Sequence, residues 1–340
     1  MPSRFGQFIT SVLPVHRPDG SPNVFLFSSP RSGSTWLMEL IWSQPGFKAC
    51  NEPLNIRVPE VRAHLGIDSW ERLYQIDEIE KIEKYLSGWI SGHFKFKNRR
   101  PFSRNYRPIT RRIVFKIIHG CQDNINSLKE KLNGRIIFLL RHPLAVSISR
   151  KELPCLNAFL NSDYARHFTA SQRTFAHEIV HTGSRLEQGV LTWCLENAVP
   201  MKEQTDDWLV VTYEQTVLEP EVVIHHMADR LLLPKPLEMN RKIAVPSQST
   251  TKSTEGTQDL LRNADSASTK RALLGKWRQQ ITSNDACKAM DILQRFELDS
   301  IYSWDSDVPD PNLWLRMSST TVDGRGDAGK SIPIADVRDT

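Results

Sequence analysis

The residues Pro30-Arg31-Ser32-Gly33-Ser34-Thr35-Trp36 stand between a run of β-formers, Val24 to Ser28, and an apolar-rich stretch with helical spacing, Ser34 to Gln44. A strand that turns tightly into a helix presents the helix's free N–H groups and positive dipole end at the strand's exit, which makes a cradle for an anion. Ser32, Ser34 and Thr35 add hydroxyl donors, Gly33 allows close backbone approach, and Arg31 adds a forked cation suited to phosphate or sulfate. The signature GxxxxGK[ST] of nucleoside triphosphatases is absent, as is an obvious acidic strand end to hold magnesium. The loop therefore calls for an anionic ligand without ATP hydrolysis. In GRIIFLLRHPLAVSISR another strand ends at Arg141, Pro143 takes a first helical position, and Ser147 and Ser149 lie one to two turns inside. This builds a second anion site beside the first, and one ligand with two separate phosphate groups would satisfy both.

Several elements must position these groups. A second strand is expected at Phe47 to Asn51, ending in Glu52-Pro53, and an amphipathic helix between Asp68 and Ile90, where Trp70, Leu73, Ile76, Ile79, Ile82, Leu86 and Trp89 recur three or four apart. Lys97 to Arg112 reads as a basic, proline-containing loop. Strand (Arg112 to Ile118), helix (Asp123 to Leu132), strand (Arg135 to Leu140) and helix (Pro143 to Arg150) then alternate, and a mostly helical stretch from Ala158 to Thr205 precedes a strand at Trp208 to Thr212. Such alternation implies βαβ crossovers and a central, mostly parallel sheet flanked by helices, a three-layer α/β fold. A final helix is expected from Leu273 to Phe296. The expected organisation is a lead-in over 1–22, a single domain over 23–304 with a flexible, lid-like segment at 247–269 rich in Ser, Thr, Gln and Asp, and a polar tail over 305–340.

Composition narrows the class. A chain of 340 residues that is 39% hydrophobic can bury an ordinary core, and its net charge of +5 suits an anionic ligand while falling short of a surface that coats nucleic acid. Five cysteines with no CxxC pair argue against a disulfide framework and for a reducing compartment, and they suggest no metal site. No signal-peptide core and no run approaching the roughly 18 apolar residues of a membrane span is present, so a cytoplasmic enzyme is expected.

With both anion elements in view, the sequence resembles the sulfotransferases that use 3′-phosphoadenosine 5′-phosphosulfate (PAPS). Their 5′-phosphosulfate loop is similar to Pro30 through Trp36, and their 3′-phosphate element is similar to Arg141 followed eight residues later by Ser149. Ser147 and Ser149 lie about 200° apart around a helix, so one faces the phosphate, and the family spacing selects Ser149. NEPL after the second strand, WLVVTYEQTVLEPE around Tyr213-Glu214 and LLGKWRQQI around Trp277 match more loosely, so the likeness runs discontinuously from Val24 to Phe296. The arginine in the loop and the Glu-Pro-Leu resemble the carbohydrate and bacterial enzymes more than the phenol and steroid enzymes, which points to a carbohydrate or other polar hydroxyl acceptor.

The resemblance implies a P-loop-like fold, PAPS as co-substrate with 3′-phosphoadenosine 5′-phosphate (PAP) as product, and no metal. Arg31 with the backbone N–H groups of Gly33 to Thr35 would meet the developing charge, and Lys116, in VFKIIHG, could reach the bridging oxygen. Glu52 and His119 are the two candidate bases, with Glu52 favoured because it matches the carbohydrate-type subgroup. Trp36 and Tyr213 are candidates for adenine contacts, and Arg271 and Lys276 resemble an element that closes over the nucleotide. Two other functions compete. His177-Glu178-Ile179-Val180-His181 is a literal HExxH, which on a helix could hold zinc with Glu178 as base, although no third ligand stands at a convincing spacing. A non-catalytic protein that binds PAPS or a nucleotide is the other.

Overall fold

The computed structural model of the chain describes residues 15–94, 107–243 and 267–316. Seven strands are present among them: β1 (Val15–His16), β2 (Asn23–Ser28), β3 (Phe47–Asn51), β4 (Ile109–Thr110), β5 (Arg112–Ile117), β6 (Gly134–Leu140) and β7 (Leu209–Thr212). Five of them form one sheet in the order β3-β5-β2-β6-β7, and every neighbouring pair is parallel. The short β1 and β4 pair separately.

The strands are apolar at nearly every position because both faces of the sheet are covered. Side chains alternate across the pleat, so each strand feeds two cores. Phe25, Phe27, Ile113, Phe115, Ile117, Ile136 and Phe138 face one, where Phe25 and Phe115 stack with ring centroids 4.9 Å apart. Val24, Leu26, Val114, Ile137, Leu139 and Val211 face the other.

Thirteen α-helices are described: α1 (Ser34–Trp42), α2 (Pro59–Leu65), α3 (Ile79–Ile90), α4 (Ile125–Lys131), α5 (Pro143–Ser149), α6 (Leu156–Leu160), α7 (Ala170–Thr182), α8 (Arg185–Glu203), α9 (Tyr213–Leu218), α10 (Pro220–Leu231), α11 (Pro236–Asn240), α12 (Ala267–Leu274) and α13 (Ser283–Arg295). Helices α3, α5, α6, α8 and α13 supply the first core, and α1, α10 and α11 the second. The three-layer α/β arrangement read from the alternation is the one present.

Two expected helices are shorter than their apolar spacing suggested. Between Asp68 and Ile90 the α-helix begins only at Ile79, after 3-10 turns at Arg72–Tyr74 and Ile76–Glu78. Gln75 is extended between those turns, and its neighbourhood is tethered across the fold: the Ile76 N–H donates to Asp163 Oδ2, and the Asp163 N–H donates to Gln75 Oε1. Ile76 is 52% exposed, so it leaves the apolar stripe that the spacing assigned to the core. The expected helix over Leu273–Phe296 is divided into the end of α12, a 3-10 turn at Gly275–Gln280, and α13. Ile281 is extended, and Thr282 starts α13 afresh through a reciprocal cap in which its hydroxyl accepts from the Asp285 N–H and the Asp285 carboxylate accepts from the Thr282 N–H.

Positions 247–266 of the segment read as a lid lie outside the described residues, and 267–269 open α12. Positions 97–106 of the basic loop, 1–14 of the lead-in and 317–340 of the tail also lie outside. The first part of the tail packs against α9 and α10. Gln215 exchanges hydrogen bonds with the backbone of Leu315 at 2.6 and 3.0 Å, and Trp314 Nε1 donates to Glu219 Oε2 at 2.6 Å.

Gly189 lets α8 lie directly on α5, since a Cβ there would sit 2.8 Å from Ser147 Cβ. In an exposed helix an alanine for glycine gains about 1 kcal/mol, whereas overpacking costs about 1–3 kcal/mol. Gly189→Ala is therefore expected to lower the denaturant midpoint, with a net loss on the order of 1 kcal/mol.

Candidate active site

The chain leaves β2 at Ser28 and turns through Arg31, at φ 72°, and Gly33, at φ 90°, into α1. Gly33 holds the N-cap position, no side chain among the described residues caps α1, and its first turn carries no acidic residue. The helix end thus keeps its N–H groups and dipole directed at the turn. Ser32 is fully buried and Ser34 nearly so, and the Ser32 and Ser28 hydroxyls are buried without a hydrogen-bond partner among the described residues. Gly33 is required twice over, by its left-handed backbone and because a Cβ would lie 2.5 Å from the ring of Tyr213.

β5 neighbours β2 on one side, and β3 neighbours β5 in turn. Asn51 pairs with Lys116 in register, so Glu52 leaves β3 beside that lysine, and its N–H donates to the Lys116 carbonyl at 2.9 Å. Lys116 is 4% exposed, which makes it an interior cation. Its Nζ donates to Thr35 Oγ1 at 3.0 Å and to Glu52 Oε1 at 2.8 Å, so one ammonium joins the start of α1 to the carboxylate. Asn55 Nδ2 donates to Glu52 Oε2 at 3.0 Å. Burial pushes the Glu52 pKa up, but the charge and hydrogen bond of Lys116, the Asn55 amide and nearby His119 outweigh it and hold the group below the usual carboxylate range.

His119 follows β5 and is 8% exposed. Burial above all lowers its pKa from 6.5 to about 4; the Glu52 charge opposes this, and Arg150, Arg57 and Lys116 reinforce it. Its Nδ1 lies 3.4 Å from Cys155 Sγ, and its ring meets the Trp70 ring edge-on at 4.8 Å. The two candidate bases thus differ in charge, Glu52 ionised and His119 neutral, and are near enough for each charge to act on the other.

β6 and β7 deliver the other side of the site. Arg141 Nη1 donates to the Arg31 carbonyl at 2.9 Å, and its guanidinium lies 4.3 Å from the centroid of the Tyr213 ring. Tyr213, at the start of α9, is therefore in contact with both Gly33 and Arg141 and ties the two anion loops together. In α5 the Ser147 hydroxyl is buried against Gly189 and donates to the Pro143 carbonyl at 2.7 Å. Ser149 is only half-buried and donates to the Val146 carbonyl at 2.8 Å, so it is the more accessible of the two. Trp36 is half-buried and packs into the second core with Leu37, Val223 and Met227.

Arg271 and Lys276 are exposed, on α12 and the following 3-10 turn. The sequence named Glu214 and Trp277 only within loosely matching stretches, and the group that they form with His142 and Tyr302 had no signal in it. Trp277 stacks on His142 at 4.3 Å, the His142 N–H donates to Glu214 Oε1 at 2.9 Å, and the Tyr302 hydroxyl donates to Glu214 Oε2 at 2.9 Å. A second overlooked pair is Arg150 with Glu196, both buried. Their readable signal was a charge within the apolar run LTWCLENAV of α8.

His177, Glu178 and His181 lie on the exposed face of α7, while Ala176 and Ile179 face the core. Among the described residues no group of three His, Cys, Asp or Glu side chains could hold a metal ion, all five cysteines are free, and no helix is long and apolar enough to cross a membrane.

None of the curated proteins matches the chain. The family described as the sulfotransferase domain matches residues 21–300. Among solved structures, the chain is similar to a sulfotransferase domain from the Synechococcus PCC 7002 olefin synthase, at 18% identity over 83% of this chain and 96% of that one, with a TM-score of 0.42. It is similar to mouse sulfotransferase SULT7A1 complexed with PAP, at 14% identity over 86% and 88%, with a TM-score of 0.40. A sulfotransferase domain from the curacin biosynthetic pathway matches at 16% identity over 83% and 99%, with a TM-score of 0.39.

The buried imidazoles set a pH dependence. His119 and His142 have folded pKa values of about 4 against an ordinary 6.5, so the unfolded chain binds more protons between those values. Their contribution is intact above pH 6.5 and is lost as pH falls toward 4, with a slope of up to about 1.4 kcal/mol per pH unit for each histidine. Urea unfolding over that range should show the loss, and His142→Phe should reduce the slope by one histidine's share.

Proposed function

The chain belongs to the sulfotransferase family, enzymes of sulfuryl transfer, and on that premise we propose that it moves the sulfuryl group of PAPS to a hydroxyl of a carbohydrate or other polar small-molecule acceptor, releasing PAP. The observation that carries this reading is the pair of anion loops at one sheet edge, joined through Tyr213 and the Arg141 contact with the Arg31 carbonyl. In it, Arg31, the Ser32 and Ser34 hydroxyls and the backbone N–H groups of Gly33 to Thr35 hold the 5′-phosphosulfate. Arg141 and Ser149 hold the 3′-phosphate, Trp36 and Tyr213 border the adenine, and Arg271 with Lys276 approach the nucleotide from α12. The uncapped α1 and the unpartnered buried Ser32 hydroxyl suit such a ligand.

Transfer breaks the sulfur–oxygen bond to the 5′-phosphate and forms one to the acceptor oxygen. The acceptor proton goes to a base, and negative charge develops on the phosphate oxygen. Lys116 is suited to that charge, because its ammonium already sits against Thr35 at the start of α1. Glu52 is assigned as the base: it is ionised, less deeply buried than His119, and held beside Lys116. His119, neutral and near enough to feel the Glu52 charge, is the second candidate.

The acceptor would enter along Trp70. Arg57 lies 5.9 Å from the Trp70 ring centroid and pairs with Glu152 at 2.7 Å, and Trp70 in turn meets His119. An indole with a guanidinium over its ring, itself paired with a carboxylate, supports an acceptor with several hydroxyls.

Radiolabelled PAPS incubated with fractionated host extract should label an acceptor, to be identified by mass spectrometry; binding of PAP with no transfer across a broad acceptor panel would favour a non-catalytic nucleotide-binding protein. Glu52→Gln is expected to lower kcat by about 10²–10⁴ with PAP affinity unchanged; near-normal turnover moves the base to His119. Arg141→Ala should weaken PAP by about ten- to a hundredfold and adenosine 5′-phosphosulfate, which lacks the 3′-phosphate, far less. Equal losses would remove Arg141 from that role.

A further inference from the structure

Arg150 and Glu196 form an ion pair with side chains only 3% and 4% exposed, Nη2 to Oε2 2.5 Å. Burial pushes the Glu196 pKa up, and Arg150 opposes that shift. Removing two charges from water often costs more than their attraction returns, and well-packed hydrophobic residues of similar volume often serve a core as well or better. Stability alone therefore gives no account of the pair. Its surroundings supply one. The same Arg150 nitrogen approaches the Pro30 carbonyl at 3.5 Å, and the Ser29 side chain, like Arg150, works against the rise in the Glu196 pKa. Next to Glu196, Asn197 Nδ2 donates to the Ser29 hydroxyl at 2.9 Å and to the Trp193 carbonyl at 2.6 Å.

Ser29 and Pro30 immediately precede Arg31, whose φ of 72° is unusual for a residue with a Cβ. Such a conformation persists only where neighbours over-determine it. Here the two residues before Arg31 are held by Arg150, itself paired with Glu196, and by Asn197, and its own carbonyl is held by Arg141. Four buried polar atoms without a partner among the described residues belong to this loop and its supports: Ser28 Oγ, Ser32 Oγ, Arg150 Nε and Asn197 Oδ1. Most buried polar atoms in native proteins are satisfied, so this concentration marks a region shaped by something other than packing.

We propose that Arg150, Glu196 and Asn197 are positioning residues that fix the phosphosulfate loop from behind and set the direction of the Arg31 side chain. The proposal rests on the PAPS reading, and it assigns the three residues no contact with the ligand. Because they act on one loop, their loss impairs recognition of the 5′-phosphate and spares that of the 3′-phosphate.

The test uses the full chain and three probes, PAP, adenosine 5′-monophosphate and adenosine 3′-monophosphate, titrated calorimetrically alongside thermal unfolding. In the double variant Arg150→Met with Glu196→Leu, the thermal midpoint is expected to stay close to the wild-type value. Affinity for PAP and for the 5′-monophosphate should fall by about tenfold or more, and that for the 3′-monophosphate should hold. A folded double variant with wild-type affinity for all three overturns the proposal, as does an equal loss for all three. Should the double variant fail to fold, Ser29→Ala, which deletes one hydroxyl, carries the same test: a selective loss for 5′-phosphate probes supports the proposal, and unchanged affinities overturn it. Wild-type protein that does not bind PAP at all overturns the PAPS reading and this proposal with it, whereas wild-type binding with unchanged variants overturns the proposal alone.

Discussion

Five strands that all run in one direction must release the chain at a single edge, and everything chemical in this fold follows from that constraint. The strand order β3-β5-β2-β6-β7 decides what meets what at that edge. The loop after β2 emerges at the centre. The exits of β3 and β5 bring Glu52, Lys116 and His119 to one side of it, and the exits of β6 and β7 bring Arg141 and Tyr213 to the other. On the proposed reading, a flank that would accept the proton and a flank that would grip the nucleotide are separated by the loop that would hold the group in transit. Residues nearly two hundred positions apart become neighbours with only short excursions from their strands.

The charges at this edge are sorted by what stands next to them. Lys116 is paired with Glu52, and Arg150 with Glu196, so each buried cation there has a carboxylate within hydrogen-bond reach. Arg31 and Arg141 are treated differently. Arg141 is engaged by a carbonyl and an aromatic face, and neither neutralises it. Arg31 is exposed at the loop. The fold therefore compensates the cations that hold its frame and keeps net positive charge where two anionic groups would arrive. Glu214, whose pKa burial raises against the pull of Arg141, is held by the His142 N–H and the Tyr302 hydroxyl.

What could be read from the chain beforehand depended on how local each signal was. The runs NVFLFS, RIVFKI and GRIIFLL announced buried strands because a doubly covered sheet leaves no polar face to interrupt them. The hydroxyls and arginine of Pro30 to Trp36 pointed to an anion because a strand-to-helix turn has fixed electrostatics whatever surrounds it. Helical spacing alone, in contrast, could not place the breaks at Gln75 and Ile281, which depend on a tether to Asp163 and on a fresh cap at Thr282. Tyr213 was expected at the adenine, but only the fold shows that its ring fills the space that Gly33 leaves and supports Arg141. The pairing of Arg150 with Glu196, 46 residues apart, shows in the sequence only as a charge inside the apolar run of α8, with nothing local to name its partner.

Arginine at position 31 places two demands in opposition. Its backbone occupies a region where glycine would rest at lower conformational cost, while its side chain is the only permanent charge in the Pro30 to Trp36 loop. A glycine there would relax the turn and remove that charge in the same step. Any laboratory selection for a hardier variant of this protein would thus find, at this residue, robustness and chemistry pulling apart.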